Sequence, residues 1–140
     1  VAEVSFIIAV DFDGTCVDHR YPDVGEDVPD AVESLRSFVA AGAKLILWTM
    51  RSEDREDETH PLWDAEAWFA DRDIPLAGAN RNPEQFSWTT SPKVYAHLYI
   101  DDAAFGCPLR ENPRMGGRPF VDWSIVGPAV LKMIPQETKV

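Results

Sequence analysis

Three short apolar runs punctuate this chain, and each ends on residues that carry chemistry. Val4-Ser5-Phe6-Ile7-Ile8-Ala9-Val10 precedes Asp11; Lys44-Leu45-Ile46-Leu47-Trp48 precedes Thr49; Ala96-His97-Leu98-Tyr99-Ile100 precedes Asp101-Asp102. Short runs rich in β-branched residues and closed by polar punctuation read as buried strands. Between them the spacing becomes helical. Ala31, Val32, Leu35, Phe38 and Val39 form one apolar face of a helix expected to begin near Pro29, and Gly42 suits the position after its end. A second helix is expected from about Pro61 to Arg72, with Leu62, Ala65, Trp68 and Phe69 inward. Ile74 to Ala79 reads as a short third strand weakened by Pro75, and residues 80–92 as loop. A short strand near Phe120-Val121 and a last helix through Val130–Ile134 complete the series, Gly127-Pro128 obscuring where that helix starts. Strands alternating with helices predict an α/β fold with a doubly wound parallel sheet and right-handed crossovers.

The chain has 140 residues, which suits one domain with a core that needs no staples. No run approaches a membrane span, and no basic segment followed by an apolar core marks a secretory signal. Cys16 and Cys107 are too few for a disulfide framework or a zinc site, so a reducing cytoplasm is the expected location. Cys16 reads as a small buried thiol. The net charge of −11 argues against general nucleic-acid binding, which rests on neutralising phosphates. Part of the excess lies in the run Glu53–Glu58, expected as a solvated loop or helix entry.

The candidate chemistry starts at Asp11-Phe12-Asp13-Gly14-Thr15. Two carboxylates leave the C-terminal end of the first strand, where open α/β sheets bind ligands, and Gly14 permits a sharp turn. Acids this close repel unless a cation or shared proton relieves them. Asp11, Asp13, Asp101 and Asp102 are expected to converge at one end of the sheet. All candidate ligands are hard oxygens, which points to Mg²⁺. A response-regulator receiver also clusters acids, but its lysine follows the last strand, whereas Lys93 here precedes a strand ending in acids.

The order Asp11-x-Asp13, Thr49, Lys93, Asp101-Asp102 resembles the haloacid dehalogenase-like (HAD) superfamily, and the likeness spans residues 11 to 102. The resemblance implies strand order 3-2-1-4-5 with the first strand central. It implies a phosphohydrolase in which Asp11 is the nucleophile and Asp13 the general acid and base. Thr49, donating to a phosphoryl oxygen, and Lys93, neutralising developing charge, complete the implied catalytic set, and Gly14, Thr49, Arg51 and Lys93 are the candidate substrate-binding residues. By the same resemblance Mg²⁺ is held by Asp11, the Asp13 carbonyl and Asp102, with Asp101 orienting. Residues 16–48 and 50–92 hold little beyond core elements, so no cap domain is expected and the site should be open.

The substrate is a phosphorylated compound whose identity the chain does not specify. Arg51 binds a second anionic group or pairs with the acidic run; Asn80, Arg81 and Asn82 contact substrate or build a turn. Arg110, Arg114 and Arg118 attract anions or balance charge. The Asp18–Asp27 loop, with His19, Arg20 and Tyr21, is either a small flap or packed on the core. A dehalogenase is disfavoured by Asp13, and a mutase by the missing cap. The reading from another class is a phosphate-binding scaffold with slight activity.

Overall fold

The computed structural model describes residues 5–53 and 57–136. The centre of the acidic run, residues 54–56, lies outside them, as does Val4 of the first apolar run. Four parallel strands form the main sheet in the order β3-β2-β1-β4: β1 Ile7–Val10, β2 Lys44–Leu47, β3 Gly78–Ala79 and β4 Leu98–Ile100. β1 is central because it is apolar on both faces. Ile8 pairs with Leu45 on one side and Leu98 on the other, and all four β1 residues are buried. Helices α1 (Ala31–Ala40), α2 (Pro61–Asp71) and α3 (Trp123–Met133) complete the α/β fold.

Among the described residues, helices cover one face of the sheet and not both, as double winding would require. Ile8, Val10, Leu45 and Leu47 share one core with Leu35 and Phe38 of α1, Ala65 and Phe69 of α2, and Trp123 and Val126 of α3. The alternate β positions, Ile7, Ala9 and Ile46, face the other way and pack with Val94, Trp48 and Ala96. The reason lies in the β3–β4 connection. Its residues fold into a 3-10 turn, Pro83–Ser87, and extended chain, so no described α-helix covers that face.

The expected fifth strand also departs from prediction. Phe120–Val121 (β6) pairs antiparallel with Leu109–Arg110 (β5) in a separate hairpin. It still touches the Asp-rich turn, since the Val121 amide donates to the Gly14 carbonyl at 3.0 Å. The expected third strand shrinks to two residues. Pro75 has no amide to donate, and the Ile74 amide closes the end of α2 on the Phe69 carbonyl, so the ladder begins only when Ala77 reaches Leu45.

Helix α1 starts at Ala31, after the left-handed Asp30, two residues later than Pro29 suggested. α3 starts at Trp123, ahead of the Gly127-Pro128 pair that obscured its start, carries Pro128 inside it, and ends at Met133, one residue short of Ile134. Asp122 caps its first turn by accepting from the Ser124 amide at 3.1 Å, and the burial of Trp123, Val126 and Val130 outweighs the bond that Pro128 removes. Gly127 is there for contact: a Cβ at that position would collide with Ser34 Oγ on α1.

Candidate active site

The site forms where β1 and β4 end side by side. The Asp11 amide donates to the Ile100 carbonyl at 2.9 Å, continuing the ladder by one rung and placing Asp11 next to Asp101 and Asp102. Carboxylate oxygens of these three residues lie within 4.8 Å of one another. Thr15 binds the group together: its hydroxyl donates to Asp11 Oδ2 at 2.9 Å and accepts from the Asp102 amide at 3.2 Å. The Trp123 indole in turn donates to the Thr15 carbonyl at 2.7 Å, anchoring the turn to α3.

Electrostatics follow from this packing. Burial, and next the charge of Asp101, push the Asp11 carboxyl up to about 8. Asp101 is raised as well, chiefly by burial. Such shifts mean that the cluster holds more negative charge than its surroundings neutralise. The donor set, all hard oxygen, fits a divalent cation of the Mg²⁺ kind. Asp11, Asp101 and Asp102 would hold it, and the ion would supply charge neutralisation and polarisation of a phosphoryl oxygen.

Asp13 departs from the expected convergence. Its two oxygens accept from Arg51 Nε and Nη2, each at 2.8 Å, in a bidentate pair. The sequence suggests a surface or substrate cation at Arg51, yet the residue is 1% exposed. It also donates to the carbonyls of Pro22, Asp23 and Pro61, and lies 4.9 Å from the Phe12 ring centroid. The cause is local. Asp13 points away from the triad into the gap between the Asp18–Asp27 loop and the start of α2, where a guanidinium can satisfy a carboxylate and three carbonyls at once. The loop is therefore fastened to the core, with half-exposed Tyr21 standing 5.3 Å over Arg51.

Sequence reasoning missed a role for His19. Its Nε2 lies 2.9 Å from Asp102 Oδ2. Gly14, at φ 82°, makes this approach possible: a Cβ there would strike both the His19 ring and the Asp102 carboxylate. The signal in the sequence was only a histidine five residues beyond the glycine. Asp18 was missed too. It is 5% exposed, accepts from the Glu26 amide at 2.9 Å and from Arg114 at 3.0 Å, and so joins the two loops beside the site.

Thr49 follows β2, as expected. Its amide donates to Asn80 Oδ1 at 2.8 Å and its hydroxyl accepts from the Arg51 amide at 3.1 Å, so the amide is already engaged while the hydroxyl proton is not used in that bond. Asn80 and Asn82 build turns: Asn80 Nδ2 returns to the Arg51 carbonyl, and Asn82 accepts from Glu84 and donates to the Tyr95 carbonyl. Lys93 is exposed and lies 5.7 Å from the Tyr99 ring centroid. Together with Asp11, Asp101, Trp48 and Tyr99 it lines a cavity of about 280 Å³. Cys16 is buried, donates to the Asp11 carbonyl at 3.3 Å, and has its thiol pushed well up, mainly by burial.

A solved structure matches this chain over 94% of the length of each, with 35% sequence identity and a TM-score of 0.67: that of a conserved protein from Bacteroides thetaiotaomicron. The chain belongs to that protein's family. No family model and no curated protein match it. Among the described residues of 16–48 and 50–92 stand only the loop, α1, β2, α2, β3 and the 3-10 turn. No described helix is long and apolar enough to cross a membrane.

Proposed function

We propose that this chain is a HAD-like phosphohydrolase of the capless type, cleaving a phosphate monoester through an aspartyl-phosphate on Asp11. The observation that carries this reading is the triad of Asp11, Asp101 and Asp102, of which Asp11 and Asp101 share a cavity with Lys93, a cation that makes no ion pair among the described residues. Phosphate monoesters resist water so strongly that catalysed rates can exceed the reference by up to about 10²¹-fold. Catalysis of phosphoryl transfer is largely positioning and charge stabilisation, and these residues offer both.

In the first step an Asp11 oxygen bonds to phosphorus and the ester P–O bond breaks; the leaving oxygen takes a proton that Asp13 has drawn from water. In the second, water attacks phosphorus, its proton passes to Asp13, and the Asp11–phosphorus bond breaks to release phosphate. Lys93 and the Thr49 hydroxyl neutralise and bind phosphoryl oxygens. Asp13 enters this cycle only after leaving the Arg51 pair, because both its oxygens are held there.

The same pair favours a second reading, a phosphate-binding protein with slight turnover, in which Asp13 stays locked. Hydrolysis of p-nitrophenyl phosphate separates the two. The phosphohydrolase reading expects Mg²⁺-dependent turnover that Asp11→Asn abolishes in a protein that melts normally. Binding of phosphate without turnover supports the second reading, and unchanged turnover in Asp11→Asn rejects the first.

A further inference from the structure

The face of the sheet that lacks a helix carries a second cavity, of about 260 Å³, directly beside the first; Lys93 and Tyr99 line both. Its other walls include Trp88 and Tyr95, over a floor of buried Val94 and Gln85. Trp88 is 63% exposed and Tyr95 41%, and their rings meet edge-on at 5.6 Å. Large aromatic side chains gain most when buried, so such a pair at the rim of a concavity is available surface.

These walls are set before any ligand arrives. Buried Gln85 donates to the carbonyls of Ser91 and Lys93 and accepts from the Tyr95 amide, which ties the Trp88 turn, the lysine and the Tyr95 segment together. The Tyr99 hydroxyl donates to the Val94 carbonyl and fixes the shared wall. Neither cavity alone reaches the range of about 300–1,000 Å³ usual for small-molecule sites, whereas the two together fall within it. One end offers carboxylates and an ammonium, the other π-faces.

We propose that the Trp88–Tyr95–Tyr99 cavity is the leaving-group subsite of the Asp11 site and takes a planar aromatic group carried on the phosphate. Naming the group on the phosphate as a leaving group rests on the phosphohydrolase reading. Because Lys93 and Tyr99 line both, this cavity adjoins the anion end, which suits a small ligand that reaches across that shared edge. Its preference for an aromatic follows from the stacking faces, since stacking on such side chains is sequence-tolerant and strong.

Non-hydrolysable phosphonates test the subsite apart from the chemistry. With Mg²⁺ present, calorimetry should find naphthylmethylphosphonate at least about tenfold tighter than methylphosphonate, the scale of one stacking contact. Trp88→Ala should bring that ratio toward one, and Trp88→Leu, which keeps apolar bulk without a stacking face, should lower it in the same direction. Equal affinities in the native protein, or an unchanged ratio in a Trp88 variant that melts normally, overturn the subsite. A stable dimer in which Trp88 becomes protected overturns it too, since a second copy would then own this face. Turnover of p-nitrophenyl phosphate is read separately: discrimination without turnover sinks the hydrolase reading alone, and turnover without discrimination sinks the subsite alone.

Discussion

Asp11 carries the most consequential charge in the molecule. Its carboxyl, pushed up to about 8, holds a proton in the folded state across the interval where the unfolded chain has lost it, from about 4 upward. The folded state therefore binds more protons than the unfolded, and stability falls as pH rises through that interval toward 8. Without divalent cation the melting temperature should drop between pH 5 and 8, and excess Mg²⁺ should offset the drop most at the alkaline end. Thermal melts by circular dichroism at a few pH values, with chelator or Mg²⁺, check this; a chelated protein that gains stability over the interval contradicts it. The same shift predicts that Mg²⁺ binding near pH 7 releases protons. Calorimetry in buffers of different ionisation enthalpy reads that release directly, and no buffer dependence counts against ligation by Asp11.

Asp13 shows where reading residues one at a time fails. Its place in the Asp-x-Asp spacing was plain, and so was the polar character of Arg51. Their bidentate pair was not, because it needs the Asp18–Asp27 loop and the start of α2 to meet, a contact that no local pattern encodes. The triad was more legible: Asp11 and the Asp101-Asp102 pair each close a strand, and parallel pairing of β1 with β4 brings strand ends together.

Among the elements, the loop Asp18–Asp27 depends on Arg51 for its seat. Arg51→Met removes the partner of Asp13 and leaves three backbone carbonyls without their donor. Loss of one partner from a buried ion pair typically costs about 3–5 kcal/mol. Chemical denaturation should show a loss of that order, and a change near zero would mean that water replaces the guanidinium without penalty. Gly14→Ala acts on the same junction. At φ 82° a Cβ is strained and would drive His19 from Asp102, so this variant should lose both stability and Mg²⁺ affinity. Unaltered affinity would show that the His19 contact does not orient Asp102.

The helices and the three short apolar runs were readable because 3.6-residue and strand-like patterns are local. The limits of β3, the start of α3 and the fate of Phe120–Val121 were not. Each was decided by a contact between distant segments: Ile74 with the end of α2, Gly127 against Ser34, and β6 against β5.

At the scale of the whole molecule, the sheet has one face covered by three helices and another covered, among the described residues, by a 3-10 turn and extended chain. That asymmetry leaves two adjoining cavities beside Lys93, one of them against the acidic end of the sheet. Net charge compounds the demand for a cation, since a chain at −11 has little positive field to spare for an anionic substrate. Removal of divalent metal should therefore suppress phosphate binding as well as turnover. Equal phosphate affinity in Mg²⁺ and in excess chelator would show that Lys93 suffices alone.

The central claim is that Asp11 takes the phosphoryl group. Rapid acid quench during turnover of p-nitrophenyl phosphate, followed by peptide mass analysis, tests it most directly. An aspartyl-phosphate on Asp11 adds one phosphoryl group to the peptide carrying that residue, absent in Asp11→Asn and absent without Mg²⁺. Phosphate on another residue, or steady turnover with no phosphorylated peptide at any quench time, would contradict it.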